Sequence, residues 1–268
     1  MKDTPSISQH AAEAGAALRR YVRIMLALFR REEEERRAAP GEAIMNLLEP
    51  IFMIVTISLA WWFLNRNSNS PLGGSPVLFF GSGLYAKFFL IYISRRMGRS
   101  VESAGRRFPI EQRLDHILVH MILRIIDYAI LGFLLFGVIY FFFTTQAFPA
   151  NFGPLLQGLL AIAALGFGWG VLNITMRQIW WMWDYFFPGF NRVLILFSGI
   201  FFLPDFLAPS ARYIMSFNPM VHAIILFRQG FYPQYKSLVL DTTYLAYCVI
   251  FAIVGGLVME RVTRRNEK

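Results

Sequence analysis

His116, His120, Arg124 and Asp127 follow one another at intervals of four, four and three residues. That spacing puts all four on one face of a helix. Apolar residues, among them Ile117, Val119, Ile122, Leu123 and Ile125, cover the rest of that helix. Three kinds of chemistry fit such a strip. Arg124 can pair with Asp127 while neighbouring helices satisfy the histidines. The strip can instead line a route for an anionic substrate. A metal could bind His116 and His120, but no third and fourth ligand is evident in the sequence. Lys87 is a further cation inside an apolar run. At mid-membrane an ammonium costs roughly 3 kcal/mol on insertion scales. It must therefore face other helices or a wet cavity.

No simple enzyme signature accompanies these groups. The chain has no G-x-x-x-x-G-K-[ST], so it binds no ATP by a P-loop, and it has neither H-E-x-x-H nor G-x-S-x-G. The segment 81–86 (Gly-Ser-Gly-Leu-Tyr-Ala) formally fits a dinucleotide fingerprint but lies in an apolar run. Both it and Gly166-Phe167-Gly168-Trp169-Gly170 read as small-residue helix packing.

Six apolar stretches must position the polar residues: 44–64, 77–94, 117–143, 154–176, 189–206 and 242–259. About 20 apolar residues suffice to cross a bilayer as a helix. The expected fold is an all-α integral membrane protein, with residues 1–43 as tail and interface helix and 44–268 as a six-helix domain. The composition, 56% hydrophobic and 16% charged, is too apolar for an ordinary soluble domain. No cleavable signal is visible, so the first span is expected to serve as the insertion signal. The single cysteine, Cys248, sits in the last run and excludes a disulfide framework.

The net charge of +9 is distributed by topology. Outside the spans, nineteen Lys and Arg fall on one side and four on the other. Cytoplasmic retention of positive charge explains that asymmetry and places both termini in the cytoplasm. The basic excess then reads as membrane orientation and anionic-lipid contact, not nucleic-acid binding.

Between the spans, several segments carry their own signals. From Ala16, the apolar residues Leu18, Tyr21, Val22, Met25, Leu28 and Phe29 recur at helical spacing, opposite Arg19, Arg20, Arg23 and Arg30. Such a helix lies in the membrane interface. Glu49-Pro50 sits in the first turns of span 1, and Trp61 and Trp62 mark its far end. The loop 95–115 is the most basic, and its 99–107 part could form a short helix across the membrane surface. Trp180, Trp181, Trp183 and Tyr185 form an aromatic cluster suited to an interfacial girdle or to stacking on sugar rings. After span 5, Pro204, Pro209 and Asn218-Pro219 cut an apolar region into pieces too short to cross, about 210–217 and 220–231. Such pieces suggest a re-entrant pair across 209–231, carrying Arg212, His222 and Arg228.

Several of these features occur together and in order: the amphipathic N-terminal helix, Leu48-Glu49-Pro50 opening span 1, the basic loop after span 2, and Phe217-Asn218-Pro219-Met220-Val221-His222-Ala223-Ile224. In that order the chain resembles the permease subunits of type-2 ABC exporters for bacterial capsule polysaccharide and O-antigen. The resemblance runs from about Leu18 onward and is most specific from Gly199 to Ile224. The short length looks more like the capsule branch, and the acidic run 32–35 departs from the pattern.

The resemblance implies a multi-pass protein of the bacterial inner membrane that works as a homodimer with two copies of a cytoplasmic ABC ATPase. ATP and Mg would stay on that partner, leaving no cofactor and no catalytic residue on this chain. The cargo would be a lipid-linked acidic polysaccharide, with a periplasmic co-polymerase and an outer-membrane export protein as further partners. Coupling to the ATPase would fall to Arg99, Glu102, Arg106 and Arg107. Arg19, Arg20, Arg23 and Glu49 would gate the entrance. The path would take in Lys87, His116, His120, Arg124, Asp127 and Trp169. Arg212, Asn218, Pro219, His222 and Arg228 would close the exit. The same permease class moving a drug or a lipid, an integral-membrane lipid- or glycan-modifying enzyme, and a non-transporting scaffold are the alternatives.

Overall fold

The computed structural model describes residues 22–23, 25–31, 33–34, 37, 40–64, 70–104 and 113–266. The described residues before position 38 are helical. Eight further helices follow: α1 (Pro40–Leu64), α2 (Pro76–Ala104), α3 (Arg113–Phe142), α4 (Phe152–Ile179), α5 (Trp183–Leu196), α6 (Pro209–Ser216), α7 (Pro219–Phe231) and α8 (Thr242–Asn266). Short 3₁₀ turns lie at Thr145–Ala147 and Pro204–Phe206. No strand occurs among the described residues.

Among the described residues four helices are long and apolar enough to cross a membrane: Pro76–Ser94, Ile117–Phe142, Phe152–Ile179 and Thr242–Thr263. The expected spans 1 and 5 differ from this pattern. In α1 the apolar stretch among the described residues is Leu48–Trp61, with Glu42 and Asn46 preceding it. The expected continuous span at 189–206 is broken. α5 ends at Leu196, Gly199 takes a left-handed φ of 69°, and the chain resumes at Pro204 as a 3₁₀ turn. Glycine adopts that conformation without the steric cost a side chain brings, and Pro204 has no backbone N–H to extend a helix.

α2 is the centre of the bundle. Of the residues in its apolar window 83% are buried, against 17% in that of α8. It packs on α1, α3, α4 and α7, and Leu78, Phe79, Phe80, Leu84 and Ile93 form its buried side. The expected surface helix at 99–107 is not a separate element, because α2 continues unbroken to Ala104.

Glycines bring α4 close to three partners. A Cβ on Gly168 would lie 2.5 Å from the carbonyl carbon of Ala252 in α8. One on Gly158 would lie 2.7 Å from the backbone nitrogen of Phe227 in α7, and one on Gly166 would lie 3.1 Å from Cβ of Ile93 in α2. The small-residue reading of Gly166 and Gly168 thus has its structural counterpart, with backbones in near contact.

Candidate functional site: a latched helix break and a polar seam

The two pieces expected at 210–217 and 220–231 are helices α6 and α7. Proline opens each, at Pro209 and Pro219, where a missing N–H is harmless and φ is already helical. Asn218 caps α7, its side-chain oxygen accepting the Met220 N–H at 3.0 Å. The same side chain donates through Nδ2 to the Phe197 carbonyl at 2.9 Å, holding the end of α5. One asparagine therefore joins the start of one helix to the end of another.

Arg228 closes the break from the other side. Its side chain is wholly buried, packed with its guanidinium carbon 4.0 Å from the Phe79 ring centroid. Nη1 donates to the Gly199 carbonyl at 2.6 Å, and Nη2 donates to Ile200 at 2.9 Å and Phe79 at 3.2 Å. These are carbonyls that the helix break leaves without helical donors, plus one on α2. Charge-assisted hydrogen bonds of this kind contribute about 1.5–3 kcal/mol each. Gly83 makes room, since a Cβ there would lie 2.7 Å from Nη2 of Arg228.

At the far end of α6 and α7, Asp205 gathers three donors from the segment after α7. Tyr235 Oη donates at 2.6 Å, Ser237 Oγ at 3.0 Å and the Leu238 N–H at 2.7 Å. Burial and the Asp205 carboxylate push the Tyr235 phenol well above its ordinary pKa, so it stays a donor. Arg212 donates to the backbone carbonyls of Asp205 and Leu207 at 2.9 and 3.3 Å.

His222 is buried between three elements. Its Nδ1 accepts the Asp241 N–H at 3.0 Å, so that nitrogen is bare. Nε2 therefore carries the proton and donates to the Ser216 carbonyl at 2.8 Å. Tyr244 supports the same joint, donating to the Phe217 carbonyl at 2.7 Å. An open cavity of about 780 Å³ lies beside it, bordered by Arg212, Tyr213, His222, Asp241 and Tyr244.

On α3, Arg124 reaches across to α2. Arg124 Nη1 donates to Asp127 at 3.0 Å and to the Tyr92 hydroxyl at 2.9 Å, and both charged groups are buried. The Arg124–Asp127 pairing that spacing allowed is thus present. One turn further along, Tyr85 Oη donates to the Tyr128 carbonyl at 2.6 Å. Together these bonds form a polar seam between α2 and α3. His120 is half-buried. Among the described residues no cluster of His, Cys, Asp and Glu could hold a metal.

Lys87 is 1% exposed and enclosed by the bundle. Trp169 is half-buried, its ring centroid 6.3 Å from that of Phe190. Arg23 and Glu49 are exposed. Arg19, Arg20, Arg106 and Arg107 lie outside the described residues, as do the side chains of Arg99, Glu102 and His116. Of the aromatic cluster, Trp180, Trp181 and Tyr185 are exposed, as a girdle requires. Trp183 instead turns inward to donate to the Asn173 side chain, whose Nδ2 reaches the Ser94 carbonyl at 3.4 Å.

Reasoning from sequence missed Asp205, Tyr235 and Asn173. An aspartate directly after Pro204 between apolar runs was the one available signal for Asp205. Nothing local pointed to residues 30 positions away.

Comparison with known proteins fits this geometry. Over 214 residues the chain is 26% identical to the capsule polysaccharide export inner-membrane protein CtrC of Neisseria meningitidis serogroup B (strain ATCC BAA-335 / MC58), covering 79% of this chain and 80% of that protein. Residues 24–232 match the ABC-2 type transporter model, a stretch that takes in the seam, the helix break and the latch. The chain is a multi-pass inner-membrane protein and belongs to the ABC-2 type transporter family.

Proposed function

We propose that the chain is the membrane subunit of an ATP-driven exporter that moves a lipid-linked acidic capsular polysaccharide. The observation carrying this reading is the match along most of both chains to a capsule polysaccharide export protein. Without a P-loop the chain needs an ATPase partner, and two chains with two ATPase copies form the working unit. In this reading α1 and the broken α5 region complete six crossings, with both termini in the cytoplasm. The loop after α2, with Arg99, Glu102, Arg106 and Arg107, docks on the ATPase. The N-terminal helix with Arg19, Arg20 and Arg23, together with Glu49, flanks the entrance.

α6 and α7 form the re-entrant pair at the extracytoplasmic mouth. Their support is structural: both are too short to cross, α7 is tied to the α5 break by Asn218 and Arg228, and α6 is tied to the Pro204–Phe206 turn by Arg212. Lys87, Arg124 and Asp127, with His116 and His120 on the same helix as the latter two, would meet the cargo in a state that parts α2 from its neighbours, because in the present state the first three are buried.

Co-reconstitution with the cognate ATPase tests the reading. Stimulation of ATP hydrolysis by a lipid-linked acidic glycan, and its transfer across the bilayer, are expected. Stimulation by hydrophobic drugs or free lipid alone, with none by glycan, would refute the cargo while leaving the family untouched. Replacing Arg106 and Arg107 with Glu should abolish transfer while insertion stays normal.

A further inference from the structure

α3 and α4 are consecutive, joined by a short turn at Thr145–Ala147, yet they are held apart along the half nearest that turn. Between them runs a slot of about 510 Å³. Tyr85, Phe227 and Phe231 form its floor, and Phe136 stacks on Phe231 with centroids 4.6 Å apart. Gly132 and Gly137 thin the α3 wall. The slot reaches from Phe148 at the turn to Ala129, about 20 Å along α3 at ~1.5 Å rise per residue.

We propose that this slot holds one acyl chain of a membrane phospholipid. Its rim lies within two candidate membrane spans, and the flanking Phe133 and Phe141 are each 82% exposed. The slot therefore opens onto hydrocarbon. Water does not fill it, because buried water needs two to four polar partners. The lining offers little beyond two phenols, and that of Tyr85 already donates to Tyr128. The length fits as well. A bilayer core of about 30 Å gives each leaflet about 15 Å, so a slot of about 20 Å takes one leaflet's chain end to end. A helix, about 10 Å across with its side chains, would have to displace Phe133 and Phe141 to enter, which argues against a second copy of the protein. The chain would wedge α3 from α4 while resting on α7, so a lipid would touch the helix that carries Arg228. The inference does not depend on the cargo.

The test uses the full-length protein in phosphatidylglycerol–phosphatidylethanolamine vesicles containing phosphatidylglycerol with a diazirine on one acyl chain. Photolysis should label peptides spanning Ala129–Gly137 and Leu155–Leu159. Gly137→Leu fills the slot without a clash, since a Cβ there meets nothing within 4 Å, and should cut that labelling at least five-fold. Gly153→Leu, equally unobstructed but outside the slot, should leave it unchanged. Labelling that ignores Gly137→Leu would overturn the proposal, as would ready disulfide cross-linking of Gly137→Cys between two copies. Native mass spectrometry of the wild-type protein gives a readout without mutation. One phospholipid per chain should survive delipidation, and retention of none counts against the slot.

Discussion

Arg228 Nη1 lies 2.6 Å from the Gly199 carbonyl, a hydrogen bond that spans 29 positions of sequence and seals the point where α5 stops being a helix. The bond explains why a fully buried cation is tolerated without a carboxylate beside it. Three backbone carbonyls and the Phe79 ring together supply the negative field. Arg228→Met should leave the Gly199 and Ile200 carbonyls buried without this donor, at about 1–3 kcal/mol each. Membrane abundance and thermal stability in detergent should both fall. Gly83→Ala should act on the same latch, because its Cβ would press on Nη2. The double variant should cost little more than Arg228→Met alone, and full additivity would mean that the two positions are not coupled.

The α2–α3 seam makes a different prediction. Arg124→Leu or Asp127→Leu alone breaks a buried ion pair, which typically costs about 3–5 kcal/mol. Replacing both should recover much of the loss, as measured by abundance and melting temperature. If the double variant is stable but no longer transports, the pair has a role in export beyond folding. If transport tracks abundance throughout, its role is structural alone.

His222 predicts a pH response. It lies in α7, outside the candidate spanning helices, and burial holds its pKa below the ordinary 6.5 despite the Ser216 carbonyl and the nearby Asp241 carboxylate. Its position in the first turns of α7 favours the neutral ring too. Arg212, across the adjacent cavity, is the cation facing it. Because the folded state prefers the neutral ring, this joint is fully stable above about pH 6.5 and weakens as pH falls below it. Protonated Nδ1 can no longer accept the Asp241 N–H. The protection factor of the Asp241 amide, its exchange rate corrected for the intrinsic slowing with falling pH, should therefore drop between pH 7 and pH 5. His222→Gln, able to donate and accept at once, should flatten that dependence, and an unchanged profile would place the titration elsewhere.

Gly168→Val should be among the most damaging single changes. Its side chain would overlap the Ala252 backbone, where only displacement of α8 can relieve the clash. Gly41→Ala, where a Cβ meets nothing within 4 Å, should be neutral. Comparable abundance of the two variants would contradict the close α4–α8 packing.

Much of this architecture was legible in the residues. Apolar run length located α2, α3, α4 and α8, and Pro209 with Asn218-Pro219 divided α6 from α7. The Arg124–Asp127 spacing contained their pairing. What the sequence concealed is non-local. Hydropathy averages across Gly199, so the 189–206 run looked continuous although its backbone turns left-handed there. The Arg95–Arg99 charges suggested that α2 ends at the membrane, yet a solvated helix can continue past it to Ala104. The donors that converge on Asp205 come from a loop whose own pattern carries no sign of them.

α2 connects two distant regions of the protein. It is one unbroken rod from Pro76 to Ala104, about 44 Å long at ~1.5 Å per residue. Phe79 and Gly83 touch Arg228 near one end, while Arg99 and Glu102 stand near the other. A stiff rod transmits a push nearly undiminished. If α2 moves as a rigid body, displacement of its Ala104 tip would shift Phe79 and Gly83 against the guanidinium that holds the Gly199 kink.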